Sequence, residues 1–215
     1  MRNTEKDEKE MTAKREAMLN EGFRLFTEKG IEAVSMQDVA DACGIGIATL
    51  YRYYKTKLDL VLAIGVRKWE EYGMYVVKAR SEKNADALSA AEGLSFYLDM
   101  FIALYQNFKD LLIFNQDFNN YMRTIGAGND ILKPYTDSIG SFSRMFDELY
   151  ERGKKDKTIR TDLPKDKMFS MTVHIMLAVA VRFAQGLVYS AEREEDRTEE
   201  LELLKHMILN EFVIK

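Results

Sequence analysis

Residues 35–57 include the side-chain types that contact nucleic acid. Hydroxyl and ammonium groups bind phosphate oxygens, which positions a protein on DNA without reading its sequence. In the major groove the Gln37 amide can pair with adenine, and the apolar groups of Ile47 and Thr49 can pack on thymine methyls. The last twelve residues of the stretch carry three cations and no acid. The stretch therefore favours contact with double-stranded DNA.

A short helix and a tight turn are predicted to position the first of these side chains. Ser35 is a favourable N-cap, and the apolar residues after it recur at the spacing that gathers them on one helical face. Gly44 lies where the chain leaving that helix needs a left-handed residue, and Gly46 can cap the next element at small cost. The turn is therefore about three residues long. The apolar residues of this first helix are Met36, Val39, Ala40 and Cys43.

A second helix follows the turn and repeats the apolar spacing. Its inward residues are Ile47, Leu50, Tyr51 and Tyr54, and its outward residues are Ala48, Thr49, Arg52 and Tyr53. A third helix is predicted to begin at Thr56, since Asp59 three positions later completes a variant of the capping box. Two helices that meet across a glycine-bearing turn are typical of a DNA-binding helix-turn-helix. The outward residues are thus the candidate readers of base sequence.

Together with the preceding segment AMLNEGFRLFTEKGIEA, this stretch resembles the N-terminal DNA-binding domain of the TetR family of transcriptional regulators. The resemblance covers about residues 11–62 and includes a turn at Gly30, the core Val39–Gly44, the block Thr49–Tyr54 and Lys57. It implies an all-α fold, in which a three-helix DNA-binding domain is joined by a long helix to a larger helical domain. That larger domain would bind a ligand and form a dimer.

The resemblance also implies roles for individual residues. Phosphates would be contacted by Ser35, Thr49, Tyr51 and Lys57, and base edges would be approached by Gln37, Gly46–Ala48 and Tyr53. The resemblance places Ile47 and Tyr51 at the DNA, whereas helical periodicity places both on the buried face. The complete set of predicted DNA-contacting residues is Ser35, Gln37, Gly46, Ile47, Ala48, Thr49, Tyr51, Arg52, Tyr53, Lys55 and Lys57.

Two positions depart from what is common in the family. Gly46 stands where the family often has Ser, which removes a hydroxyl that could bind phosphate. Tyr54 stands where the family often has Phe, so a mostly buried phenol must find a hydrogen-bond partner.

The charge of the chain limits the kind of DNA binding that it predicts. Residues 1–60 carry ten Lys and Arg against eleven Asp and Glu, and the whole chain has a net charge of −4. The basic side chains near the second helix (Arg52, Lys55 and Lys57) therefore form a local rim on an acidic protein. Such a rim suits a sequence-specific protein that makes few phosphate contacts, and it disfavours a protein that coats DNA regardless of sequence.

The remainder of the chain is predicted to be helical almost without interruption. Its 215 residues, 47% apolar, can hold one or two small domains, and only two prolines interrupt helices. A long helix from Thr56 would link a DNA-binding domain, residues 1–60, to a ligand-binding and dimerisation domain, residues 61–215. Further helices are predicted at about 84–107, 109–123, 130–154, 165–190 and 197–213.

The middle helices are rich in aromatic residues and methionine. Such residues can line an adaptable apolar pocket, and they can equally form an ordinary core. The resemblance favours a pocket for a small apolar or aromatic effector. Within the apolar helix near residue 174, His174 would be a buried histidine or would recognise a ligand. The candidate ligand-binding residues are Trp69, Met100, Phe101, Tyr105, Phe114, Phe118, Tyr121, Met145 and His174.

The last two helices are candidates for an association surface. The segment 168–189 is apolar nearly all round its middle, and the last helix carries an apolar stripe that Leu203 and Met207 widen. The resemblance implies that these helices form a homodimer interface, and the alternative is an internal core helix of a monomer. The candidate interface residues are Met171, Ile175, Val179, Arg182, Leu201, Leu204, Ile208 and Phe212.

Other classes of function fit the sequence less well. A di-iron bundle needs paired Glu-x-x-His motifs, and neither histidine has Glu three residues before it. No P-loop, nucleophile elbow or zinc spacing occurs, so no enzyme, cofactor or metal is predicted. A helical small-molecule or lipid carrier would leave residues 35–58 unexplained. The prediction is a ligand-responsive cytoplasmic regulator, most simply a repressor that binds a palindromic operator.

Overall fold

A computed structural model describes residues 4–186 and 196–214, which form nine α-helices and a short 3₁₀ helix, Ala85–Ala87. The helices are α1 (Thr4–Lys29), α2 (Met36–Ala42), α3 (Ile47–Tyr53), α4 (Lys57–Glu82), α5 (Ala90–Asn107), α6 (Lys109–Thr124), α7 (Asn129–Asp156), α8 (Lys165–Ala184) and α9 (Thr198–Phe212). The predicted all-α class is confirmed.

Two helix boundaries differ from those predicted. The helix predicted at 84–107 begins only at Ala90, because Ser89 caps it and Glu92 completes a capping box. The helix predicted at 165–190 is helical to Ala184. Residues 187–195 lie outside the described residues.

The chain divides into two compact units. Each unit is made of two separate segments, whereas the sequence analysis placed a single boundary after residue 60. The first unit comprises Met1–Trp69 and Phe114–Thr136, and the second comprises Glu70–Ile113 and Asp137–Lys215. Helices α4, α6 and α7 contribute residues to both units. Local sequence spacing does not indicate this division, because the segments that form each unit are far apart in the sequence.

The first unit packs α1 against α2 and α2 against α3. The predicted inner face of the helix-turn-helix (Met36, Val39, Ala40, Leu50 and Tyr54) is buried. Deeper in the unit a polar chain joins three helices. The indole Nε1 of Trp69 donates to the Tyr135 hydroxyl at 2.8 Å, and that hydroxyl donates to Asn115 Oδ1.

The second unit is built around α5, which packs against α8 and α9. Most residues of α5 from Gly93 to Tyr105 are buried. An ion pair between Asp99 and Lys205 joins α5 to α9. After α9, the N–H of Ile214 donates to the carbonyl of Thr158 at 2.9 Å, which ties the end of the chain to the segment after α7.

Candidate DNA interface

A capping box fixes the start of α2. The N–H of Ser35 donates to Asp38 Oδ2 at 2.7 Å, and the N–H of Asp38 donates to Ser35 Oγ at 3.1 Å. The Ser35 hydroxyl also donates to Asp38 Oδ2, and these hydrogen bonds hold the pKa of the Asp38 carboxyl below its usual value. Because the Ser35 hydroxyl already serves the cap, a phosphate contact would have to replace its bond to Asp38.

The turn between α2 and α3 has the geometry that the glycines predict. Gly44 has φ +63°, in the left-handed region. Its N–H donates to the carbonyl of Asp41, and the N–H of Ile45 donates to the carbonyl of Ala40, both at 3.0 Å. This pair of bonds is a Schellman motif, which ends α2 and directs the chain into α3. Gly46 is the N-cap of α3, as predicted.

Helix α3 buries little and exposes most of its side chains. Leu50 is fully buried, whereas Ala48 and Arg52 are exposed, and Ile47, Thr49 and Tyr53 are half-buried. Tyr51 is 47% exposed. The burial of Tyr51 that periodicity predicted is therefore wrong, and Leu50 is the buried residue of this seven-residue helix. The exposure of Tyr51 agrees with the place that the resemblance gives it.

A basic rim lies at the C-terminal end of α3 and the start of α4. Arg52 and Lys55 are exposed, and the Arg52 guanidinium lies 5.8 Å from the centre of the Tyr53 ring. Thr56 and Asp59 form the predicted capping box of α4, with reciprocal hydrogen bonds of 2.9 and 3.1 Å. These elements bring two exposed cations, and the partly buried Lys57, to one end of the reading helix.

The side chains of Gln37 and Tyr54 have surroundings that the sequence did not predict. The Gln37 amide Nε2 donates to Asp41 Oδ1 at 2.7 Å, so pairing with adenine would require this bond to open. Tyr54 is 7% exposed, and its burial raises the pKa of its phenol. Among the described residues its hydroxyl has no hydrogen-bond partner, although the sequence analysis expected one.

The nine candidate ligand-binding residues belong to both units. In the first unit Trp69, Phe114 and Phe118 are buried and Tyr121 is half-buried. Phe118 stacks on Tyr135 with ring centres 4.1 Å apart, so these residues form part of the packing around the Trp69 hydrogen bond.

The other candidates lie in the second unit. Met100, Phe101 and Tyr105 are buried, whereas His174 is exposed, with its Nδ1 3.3 Å from Ser170 Oγ. Of the two alternatives for His174, burial is not observed, because the side chain is exposed among the described residues. Met145 lines a small cleft of about 20 Å³, which holds roughly one water molecule. The residues of that cleft are Arg80, Ala85, Gly93, Phe96, Met145, Glu148, Leu149 and Arg152.

The candidate interface residues separate into exposed and buried groups. On α8, Met171, Ile175 and Arg182 are exposed and Val179 is half-buried. On α9, Leu204 is half-buried, but Leu201, Ile208 and Phe212 are buried by their own unit and are not available to a second chain. The sequence stripe on α9 therefore marks the inward face. The exposed apolar residues of α9 are Leu203 and Met207.

Several residues in these regions escaped the sequence reading. Asn115 and Tyr135 complete the chain of hydrogen bonds from Trp69, and Glu32 offers its backbone carbonyl to Lys57. No local spacing connects these positions. Asn115 is buried, and its position within the aromatic stretch of α6 is the sequence signal for a polar partner, since a buried amide needs hydrogen bonds. Over residues 4–186 and 196–214, no group of three His, Cys, Asp or Glu could hold a metal ion.

By length and composition alone, α8 could cross a membrane. Its 20 residues have a mean hydropathy of 1.4 over the most apolar window. A core or interface helix of a soluble protein meets the same criteria, so this single helix is weak support for membrane insertion.

Residues 18–64 match the family model described as "Bacterial regulatory proteins, tetR family". A helix-turn-helix-type transcriptional regulator of Staphylococcus aureus is 30% identical over 145 residues, which are 67% of this chain and 70% of that relative.

Solved structures show the same fold. A transcriptional regulator of Saccharomonospora viridis, in complex with choline, superposes with a TM-score of 0.74 at 15% identity, over 95% of this chain and 100% of that one. The regulator FadR of Bacillus subtilis, in complex with stearoyl-CoA, has a TM-score of 0.68 at 14% identity, over 90% and 96%. At such identities the likeness shows the fold alone.

Proposed function

This chain belongs to the TetR family of bacterial transcriptional regulators, and from that premise we propose that it is a cytoplasmic repressor. A homodimer would bind a near-palindromic operator, and a small apolar or aromatic effector would release it. Its curated relatives are transcriptional regulators, which disfavours both an enzyme and a carrier without a DNA role.

The observation that carries the DNA-binding half of the proposal is the surface of α3. This helix is held to its unit by one fully buried residue, Leu50, and leaves Ala48, Tyr51 and Arg52 exposed. The N-cap Gly46 leaves open space where a Cβ would stand, so the start of the helix can approach a base pair closely. The first residues of a recognition helix contact base edges, and the cations beside it contact phosphates.

The homodimer is supported by an exposed apolar surface on the last two helices. Met171 and Ile175 on α8 are 50% and 39% exposed, and Leu203 and Met207 on α9 are 63% and 62% exposed. Four large apolar side chains on two packed helices favour burial against a second chain. A two-fold dimer places two recognition helices on half-sites about one helical turn of DNA apart.

The effector is proposed to bind within the second unit. Its interior contains many aromatic and methionine side chains, which adapt to apolar ligands. The Tyr97 side chain is fully buried between the rings of Phe101 and Phe146, each with its centre 5.5 Å away, and its hydroxyl has no hydrogen-bond partner within residues 4–186 and 196–214. An effector with an apolar body and one hydrogen-bonding group would satisfy that hydroxyl. Among the similar folds, one regulator was solved with choline and one with stearoyl-CoA.

Release of DNA would follow from different effector affinities in two conformations of the protein. Helices α4, α6 and α7 each run through both units, so a change in the packing of the second unit can reach the first through continuous helices.

The experiment that tests the DNA-binding half is a selection of bound fragments from the source genome by the full chain. The enriched sequence, as a labelled duplex, is then titrated with the wild type and with Tyr53→Ala. We expect a near-palindromic sequence and at least tenfold weaker binding by the variant, with unchanged helicity and unchanged mass by light scattering. Lys154→Met is the control, since it removes a cation from the second unit. The lack of any enriched sequence would overturn the proposal.

The effector half is tested by thermal unfolding with a library of small metabolites. Compounds that raise the midpoint are then added to the protein bound to the labelled duplex. We expect at least one stabilising compound to release the duplex. If every stabilising compound leaves DNA affinity unchanged, the proposed coupling is wrong.

A further inference from the structure

We propose that Tyr121, on α6, positions the ammonium group of Lys57 for contact with a DNA phosphate. The inference rests on the proposed function and adds α6 to the elements that form the DNA-binding surface. None of the sequence patterns that predict DNA contact includes Tyr121, which the sequence suggested only as a ligand-binding residue.

Two contacts hold the Lys57 ammonium in the first unit. Its Nζ donates to the backbone carbonyl of Glu32 at 3.2 Å, and it lies 5.7 Å from the centre of the Tyr121 ring. That distance is within the range of a cation–π interaction. Burial lowers the pKa of Lys57, and the Glu32 and Asp38 carboxylates oppose this effect. The ammonium is thus seated between α6 and the corner that leads from α1 to α2.

Neighbouring residues show that α6 packs closely on this corner. Asp117, one turn before Tyr121, has its Oδ2 3.3 Å from where a Cβ at Gly30 would stand. Gly30 has φ +86° and forms the turn after α1. Burial, followed by the charge of Glu32, raises the pKa of the Tyr121 phenol, which places that ring near the same carboxylate. The seat of Lys57 therefore depends on the position of α6.

The arrangement suits phosphate binding because it fixes a flexible side chain in advance. A lysine ammonium has three N–H donors on a long stem that loses much rotamer freedom when it is immobilised. The Glu32 carbonyl takes one donor and the Tyr121 ring faces the group, so a donor remains for a phosphate oxygen. Ordering the ammonium before DNA arrives lowers the entropic cost of the contact.

The same contact would allow a movement of α6 to change the affinity for DNA phosphates directly. A shift of α6 that moved Tyr121 away from Glu32 would release the Lys57 side chain without any movement of α3. Phosphate affinity would fall even where the spacing of two recognition helices stayed the same.

The alternative is that Tyr121 only fills space against the corner. The two roles are separated by a double-mutant cycle with Lys57, because a packing role persists when the ammonium is absent. Tyr121→Leu keeps apolar bulk and removes the ring, Tyr121→Phe keeps the ring, and Lys57→Met removes the cation.

The experiment measures binding of the full chain and these variants to two labelled duplexes. One carries the genomic sequence selected by the wild type, and the other is a 30-base-pair duplex of arbitrary sequence at low salt, which reports phosphate contacts alone. We expect Tyr121→Leu to weaken binding about two- to fivefold per half-site, and Tyr121→Phe to bind like the wild type. In the Lys57→Met background Tyr121→Leu should have no further effect.

Thermal unfolding midpoints show whether each variant is folded, and Tyr121→Gln replaces Tyr121→Leu if the leucine lowers the midpoint. Unchanged or tighter binding by the ring-deleted variant overturns the inference, and so does an equal loss with and without Lys57. These outcomes differ from failure of the proposed function. If no genomic sequence is enriched, the repressor assignment fails, while the arbitrary duplex still reports the effect of Tyr121 on phosphate contact.

Discussion

Two buried tyrosines, one in each unit, show opposite ways of placing a phenol in a protein core. The Tyr135 hydroxyl accepts from Trp69 and donates to Asn115, which joins helices α4, α6 and α7 of the first unit. The Tyr97 side chain, on α5 of the second unit, lies among aromatic rings, and its hydroxyl has no partner in the part of the chain that the structure describes. An unpaired buried hydroxyl costs on the order of 1 kcal/mol of stability. The first phenol therefore stabilises its unit, whereas the second is the group that the proposed effector would satisfy.

Under the proposed function, the reading unit would need one fixed arrangement and the effector site would need an interior that can repack. In the first unit the Tyr135 hydroxyl joins three helices, although the Tyr54 hydroxyl of the same unit has no hydrogen-bond partner among the described residues. An effector site gains from an interior that repacks, and the methionine and aromatic side chains around α5 permit this. The predictions below test whether paired and unpaired phenols behave as this comparison requires.

The largest effect is expected for Tyr135→Phe. The change removes the acceptor of the Trp69 indole and the donor to Asn115, so two polar groups of the first unit lose this partner at once. We expect unfolding free energy to fall by about 2–3 kcal/mol, measured by chemical denaturation. Asn115→Leu in the same background should then cost little more, since the network is already broken. A loss below about 0.5 kcal/mol would remove the structural role given to this phenol.

An alkaline titration compares the two phenols in another way. Burial raises the pKa of both Tyr97 and Tyr135 above the ordinary value of 10.0, and the Trp69 hydrogen bond partly offsets this for Tyr135. In the unfolded chain each phenol loses its proton near pH 10, whereas in the folded chain it keeps it. Stability is therefore complete below pH 10 and falls above it, by at most about 1.4 kcal/mol per pH unit for each group.

Denaturation curves at pH 9, 10 and 11 measure this fall. Tyr97→Phe and Tyr135→Phe should each show a shallower loss than the wild type, because each removes one titrating group. Equal slopes for the wild type and both variants would contradict the burial of these phenols.

The sequence predicted features that depend on neighbours within a few residues. The N-cap at Ser35, the capping box at Thr56, the left-handed Gly44 and the buried Leu50 follow from local spacing, and all four are present. Comparisons with known proteins confirm the family that this pattern predicted.

Contacts between residues that are far apart in the sequence could not be predicted from local spacing. Lys57 and Tyr121 are 64 positions apart in the sequence, and Trp69 and Tyr135 are 66 apart. On α9, periodicity correctly found an apolar stripe through Leu201, but it could not show whether that stripe faces the interior or a partner chain. A helical pattern gives the angle between side chains and leaves open which neighbour covers each face.

The smallest effects are expected for phenols that lack a partner. Tyr54→Phe in the first unit and Tyr97→Phe in the second each remove a buried hydroxyl that has no hydrogen bond to any described residue. Because the hydroxyl loses its solvation on folding and gains no partner, its removal should raise unfolding free energy by up to about 1 kcal/mol. Thermal and chemical denaturation measure both variants beside the wild type.

The two variants should differ in their response to an effector. Tyr54→Phe should keep the full thermal shift produced by a compound that releases DNA. Tyr97→Phe should show a smaller thermal shift, because the loss of one hydrogen bond weakens effector affinity by a factor of about 5–10. If Tyr97→Phe is more stable than the wild type without ligand and shows a smaller thermal shift with it, the hydroxyl is unpaired in the free protein and binds the effector. A hydroxyl that is hydrogen-bonded to a buried water would not give both results. Loss of stability in Tyr97→Phe would show that its hydroxyl is already paired, and the contrast with Tyr135 would then disappear.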